Sequence, residues 1–241
     1  MDGRGGRCTR PRTAKSGELA ETKPEQLMVN QFCYSCMKKT IVFVLFFIAT
    51  VAWAQDRFEL INPSFEINDP EAGMPPSGWI DLGLKTETPP DRQPGRFEVM
   101  LPAQDGALYI GLVVRENKSW EGLGQKLKGS LKKDSVYTFS VYLTRSQKYM
   151  SATRTSTAFI NFNAPTILKI WGYNTVTKQD ELLAESSAVS HSEWTKYSFT
   201  LMPTVADFDE LDLMAYYAPG FENKNGNLLM DNCSAIVRVK K

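Results

Sequence analysis

The chain is poor in sulfur and almost without imidazole: it has 4 cysteines and 1 histidine in 241 residues. Cys8, Cys33 and Cys36 precede a strongly apolar run, and Cys233 alone follows it. No internal disulfide is possible downstream of that run, so stability there has to come from a packed core or a metal. Cys33 and Cys36 are spaced as CxxC, but no second ligand pair accompanies them, which leaves only a weak zinc signal. They also lie before the apolar run, which excludes a lipoprotein cleavage site there. The single histidine, His191, stands in Ser190-His191-Ser192-Glu193, a turn-like stretch. No G-x-S-x-G elbow exists to partner it, so it reads as a surface histidine and not as a catalytic base. Charge of one sign is not in excess: 28 basic residues face 27 acidic ones, for a net charge of +1. Nothing in that balance points to a nucleic-acid surface or a polybasic membrane patch. A long helical period is absent, as is any internal repeat.

What is present begins with the run Ile41 to Ala54, IVFVLFFIATVAWA. Lys38 and Lys39 precede it, and Ala52-Trp53-Ala54 closes it with small residues at alternate positions. Basic n-region, short h-region and A-x-A site are the pattern of a secretory signal peptide. The run is shorter than the roughly 18 to 20 residues needed to span a bilayer. The expected organisation is an N-terminal extension at 1–36, a signal peptide at 37–54 that opens at Met37, and one domain at 55–241 starting from Gln55. The alternative is an uncleaved anchor with a short basic cytoplasmic tail. Cleavage predicts a secreted, periplasmic or cell-envelope protein with no stable membrane span.

Residues 55–241 are enough for one well-cored domain. They predict strands at 58–61, 97–99, 107–114, 121–127, 136–143, 167–173, 195–200, 211–217 and 228–239. In Tyr137-Thr138-Phe139-Ser140-Val141-Tyr142-Leu143 apolar and polar residues alternate, so one face packs and the other is wet. Pro89-Pro90-Asp91, Ala103-Gln104-Asp105-Gly106 and the stretch from Asn223 to Asn227 punctuate the runs. Many short strands with turn signals predict an all-β fold, a two-sheet antiparallel sandwich or jelly roll. The stretches 68–96 and 147–163 read as long surface loops of the kind that carry function.

Several motifs follow one order: Asn62-Pro63-Ser64-Phe65-Glu66, Gly78-Trp79, Leu108 to Val113, Trp120 to Leu127, Tyr137 to Leu143, Trp194 to Phe199 and Asp231-Asn232. Together they resemble the jelly-roll carbohydrate-binding modules of galactose-binding-like fold, as in secreted bacterial domains mostly of unassigned function. The resemblance covers nearly all of 55–241 and is more specific for fold than for ligand. It implies a structural calcium between the first and last strands, held by Glu66 and Asp231 with backbone carbonyls. Calcium takes six to eight oxygens, which two carboxylates plus carbonyls can supply. The resemblance also implies that Trp79 and Trp194 are packing residues.

A sugar site needs aromatic faces beside fixed polar groups. Trp171 and Tyr173 share one side of their strand, away from Leu168 and Ile170, which makes them the leading binding candidates. Trp120, after a turn, and Tyr142 and Tyr216, opposite their apolar neighbours, join them. Arg115, Gln125 and Arg145 are the expected hydrogen-bonding partners. Asp207, Asp209, Glu210 and Asp212 form an acidic cluster that reads as solvated, with paired-carboxylate glycoside hydrolysis as the weakest alternative. Cys233 reads as a small buried apolar residue. The leading expectation is a non-catalytic module that binds a glycan or cell-envelope polysaccharide. A cell-envelope interaction module that binds protein or peptidoglycan is the second.

Overall fold

The computed structural model describes residues 57–67, 73–153 and 158–240. The expected extension, signal peptide and cleavage site before Gln55 lie outside those residues. In chain order the strands are β1 (Arg57–Phe58), β2 (Ile80–Asp81), β3 (Asp91–Gln93), β4 (Tyr109–Val114), β5 (Gly122–Leu131), β6 (Tyr137–Thr144) and β7 (Met150–Ala152). They continue with β8 (Phe159–Asn161), β9 (Thr166–Tyr173), β10 (Asp180–Glu185), β11 (Thr195–Leu201), β12 (Phe208–Tyr217), β13 (Gly226–Asp231) and β14 (Ile236–Arg238).

These strands build two facing antiparallel sheets and a small hairpin. The seven-stranded sheet runs β1-β14-β6-β13-β4-β3, with β11 on the other edge of β6. The five-stranded sheet runs β10-β9-β12-β5-β2, and β7 pairs with β8. This is the all-β sandwich that the alternation predicts.

The period of two explains the core. Tyr137, Phe139, Val141 and Leu143 of β6 are buried, while Thr138, Ser140 and Tyr142 between them are not. They meet Leu123 and Leu127 of β5, Leu168 and Ile170 of β9, and Leu211, Leu213 and Ala215 of β12 in one apolar cluster. Each large side chain so buried contributes about 1.5–3 kcal/mol over exposure. A second cluster, Val99, Tyr109, Val113, Tyr149, Phe162 and Leu229, covers the far side of the seven-stranded sheet. Phe97 stacks on Tyr149 at 5.4 Å, and Trp194 meets Tyr109 edge-on at 5.2 Å. Strand β4 is therefore buried on both faces, which accounts for its unbroken YIGLVV run.

The Asn62-Pro63-Ser64-Phe65-Glu66 motif is a fold device. Asn62 and Phe65 hold φ of 52° and 59°, and the Asn62 side chain accepts a bond from Ile67 N at 3.0 Å. Phe65 then packs against Trp79 at 5.4 Å, and Trp79 Nε1 donates to Asn62 O at 3.1 Å. Both rings are buried, as expected for Trp79.

Two expected strands are corrected. Residues 97–99 form no strand, because Phe97 and Glu98 take φ of 54° and 61°. The run 228–239 is broken between β13 and β14, where Asn232 turns the chain at φ 49°. The stretches read as loops contain the short strands β2, β3, β7 and β8, too brief and polar for a periodic signal.

Candidate functional site

Pairing of β12 between β5 and β9 decides what shares the outer face of the five-stranded sheet. In register, Asp212 lies between Gly124 and Trp171, Glu210 between Lys126 and Tyr173, and Met214 between Gly122 and Lys169. Tyr216 follows, opposite Ile167. Beyond the ends of these rows stand Leu182 on β10 beside Trp171 and Ile80 on β2 beside Gly124, both exposed. Trp171, Tyr173 and Tyr216 are half-buried, as an aromatic face that is held by its sheet but reachable from solvent should be. Trp120 stacks on Tyr216 at 4.8 Å, and the Lys169 ammonium sits 4.7 Å from the Tyr216 ring centre.

The two carboxylates are fixed by an absence. A Cβ at Gly124 would stand 2.8 Å from Asp212 Oδ1, 3.2 Å from Leu82 Cδ2 and 3.4 Å from Glu210 Oε1. Both acids thus lean across the bare backbone of β5. Burial, then the neighbouring Glu210 carboxyl, then the Asp180 charge, push Asp212 up to about 7. Burial also raises Glu210, which Asp212, Lys126 and Lys178 pull back. Asp212 Oδ1 and Trp171 Nε1 are buried without a hydrogen-bond partner.

Trp171, Tyr173, Trp120 and Tyr216 therefore share the outer face, the first two beside Asp212 and Glu210 and the stacked pair of Trp120 and Tyr216 farther along β12. The other expected ligand residues do not. Gln125 points inward with Leu123 and Leu127. Its amide donates to Ile61 O at 2.9 Å and Gly78 O at 3.0 Å, and it accepts from Ile61 N at 2.6 Å. It ties the first segment to the sheet and is only 2% exposed. Arg115 is buried and bonded to Glu121, with Glu87 at 3.6 Å, so its charge is spent inside the fold. Arg145 follows β6 of the opposite sheet and bonds Asn163 O. Tyr142 faces outward from that same opposite sheet, paired with Lys196 of β11. The expected strand at 211–217 contains Asp212, but grouping it with Asp207, Asp209 and Glu210 as solvated acids hides its place; with the strand starting at Phe208, Glu210, Asp212, Met214 and Tyr216 fall on one side by parity. Asp207 and Asp209 serve locally, on Lys132 and Thr175.

Glu66 and Asp231 grip one loop from two sides. Glu66 Oε1 accepts Ala107 N at 2.9 Å and Leu108 N at 2.7 Å. Asp231 Oδ2 accepts Gln104 N at 2.9 Å and Asp105 N at 3.0 Å, and its Oδ1 accepts Asn232 N at 2.7 Å. Burial, with the Asp105 charge adding to it, pushes Asp231 up to about 6. Among the described residues no basic group pairs with Glu66, Asp105 or Asp231, and no three His, Cys, Asp or Glu side chains group as a metal site. Amide hydrogens thus already occupy Glu66 Oε1 and both Asp231 oxygens.

His191 bonds Glu193 O and the Tyr197 hydroxyl. Cys233 is buried, and burial pushes its thiol up. A cavity of about 680 Å³ lies on the other sheet, between Thr138, Ser140, Ser198, Thr200 and Ser234. It presents no exposed aromatic side chain, and Thr138 and Ser234 spend their hydroxyls on Val237 O and Ala235 O. No described helix is long and apolar enough to cross a membrane.

No family model matches the chain, and no curated protein does. Solved structures do. The chain is similar to a cyclase from Fischerella sp. TAU, with 14% identity, 75% of this chain and 96% of that one covered, and a TM-score of 0.49. It is similar to the CBM22-1 xylan-binding domain of Paenibacillus barcinonensis Xyn10C, with 18% identity, coverages of 74% and 92%, and a TM-score of 0.44. It is similar to TmCBM61 in complex with beta-1,4-galactotriose, with 14% identity, coverages of 76% and 99%, and a TM-score of 0.40. Likeness at this level assigns no residue.

Proposed function

We propose that this chain is a secreted, non-catalytic carbohydrate-binding module that takes a glycan on the outer face of its five-stranded sheet. The observation that carries the reading is the convergence of Trp120, Tyr216, Trp171 and Tyr173 on one face with Glu210 and Asp212 among them. Sugar rings stack their C–H faces on such aromatics, and the carboxylates accept hydroxyl hydrogens. The unbalanced charge at Glu66, Asp105 and Asp231 supports a structural calcium held by Glu66 and Asp231. It would tie the first segment and β13 to the loop between them.

A glycan array probed with the full-length chain tests the reading. Trp171→Ala and Tyr173→Ala should remove binding while the thermal midpoint shifts little. Tyr142→Ala, on the opposite sheet, should leave binding intact. Unchanged binding in both face variants would move the site elsewhere.

A further inference from the structure

The face lacks one thing that its own residues imply. Asp212 is faced by Glu210 on its own strand, by Asp180 of β10, and by Gly124, Trp171 and Leu82, and none of these is basic. The lysines nearby are engaged with other groups. Lys126 lies 3.8 Å from Asp209, and Lys169 lies 3.8 Å from Glu185 and over Tyr216. Lys178 stands over the Tyr173 ring at 5.8 Å. Lys126 is the register partner of Glu210, and among the described residues no ion pair joins a lysine to Asp212. The second observation is independent of the acids: the same face presents Trp171 and Tyr173, whose π faces attract cations as well as C–H groups. A carboxyl pair beside aromatic rings, whose Asp212 member has no ion pair among the described residues, is complementary to an ammonium group.

Resting on the glycan reading above, we propose that the sugar chain this face selects carries free amines, that is, 2-amino-2-deoxy units, with an ammonium seated against Asp212 and Glu210 beside Trp171. Charge and stacking then act on one residue of the ligand: the ring lies on the aromatic side chain while its nitrogen reaches the carboxylates. N-acetylation removes the charge, and a uronate brings the wrong one. Both should be discriminated against.

The test is a titration of the full-length chain near pH 6.5, at low salt, with the hexasaccharide of β-1,4-glucosamine. The comparisons are its fully N-acetylated counterpart, the β-1,4-glucose hexasaccharide and trilysine. The glucosamine chain should bind at least about tenfold more tightly than either neutral chain, the size of a charge-assisted hydrogen bond over a neutral one. Asp212→Asn should collapse that ratio to about twofold or less. Glu210→Gln serves the same end if Asp212→Asn does not fold, as judged by its melting curve. Equal or tighter binding of a neutral chain would overturn the proposal and leave the glycan face standing. Binding of trilysine as tight as that of the amino sugar would overturn it as a mere charge effect. Binding of no saccharide at all would sink both the proposal and the reading beneath it.

Discussion

Glu121 is wholly buried, bonded to Arg115 and accepting Val113 N at 3.1 Å. Burial pushes it up to about 8, Arg115 only partly opposing. A carboxyl raised in the folded state holds a proton that the unfolded chain has released. Its contribution is complete below the ordinary glutamate range and is lost as pH rises through about 8. Asp212 and Asp231, raised to about 7 and about 6, act with the same sign. The thermal midpoint should therefore fall from pH 5 to pH 8.5, and Glu121→Gln should flatten the part of that slope above pH 7. A midpoint that rises over the interval would contradict the assignment. The sequence offers half of this. Parity alone sets Gln125 with Leu123 and Leu127, so its inward direction is legible, and its polarity misleads only when read residue by residue. That Arg115 meets Glu121 and Glu87 is not legible, because it depends on a turn of six residues and on a loop brought from 28 positions upstream.

At the scale of elements, β13 is the strand most tightly seated. Gly226 pairs in parallel with Ala164, and a Cβ there would lie 2.5 Å from Ala164 O, a backbone atom that cannot rotate away. Next to it Asn227 is buried and joined to Ser146 O at 2.9 Å, to Phe162 O at 2.6 Å and to Ser146 N at 2.8 Å. The Gly-Asn pair of the terminal motif thus pins two loops to the sheet. Gly226→Ala should cost about 1–3 kcal/mol in urea unfolding, the range for overpacking a site that cannot yield. A loss within error would mean that the 164 segment moves freely. Strand existence was readable wherever apolar residues alternated. The breaks at Phe97 and Asn232 were not, since single left-handed residues carry no periodic signature. Adjacency was not readable either: that β12 lies beside β9, and so sets Asp212 beside Trp171, is a matter of sheet order.

For the whole molecule two expectations follow from its ends. Exported protein should begin at Gln55 by N-terminal sequencing, whereas retention of residues 1–54 would support an anchor instead. If calcium binds at Glu66 and Asp231, it should raise the melting temperature by mass action, through a stabilisation of about 2.7 kcal/mol at a concentration a hundred times the dissociation constant. Glu66→Ala should erase that increment. A melting curve indifferent to chelator would leave the loop to the amide hydrogen bonds alone. The sandwich itself was legible from alternation and turn chemistry, because its core obeys them. The binding face was legible only in part, since four of its aromatics announce themselves and its acids look like solvent-facing charge.

The pairing of β1 with β14 has a different use. Arg57 and Val237 are register partners, so the two ends of the folded unit stand one ladder spacing apart, about 5 Å. A linker of a few glycines and serines should therefore join them, and the chain could be reopened at the exposed turn between Gly220 and Lys224. Such a circular permutant keeps every strand pairing on which the aromatic face depends. The same closeness lets the unit be spliced into a surface loop of a host protein without prying that loop apart, with its face turned outward like a tile set on a short stem.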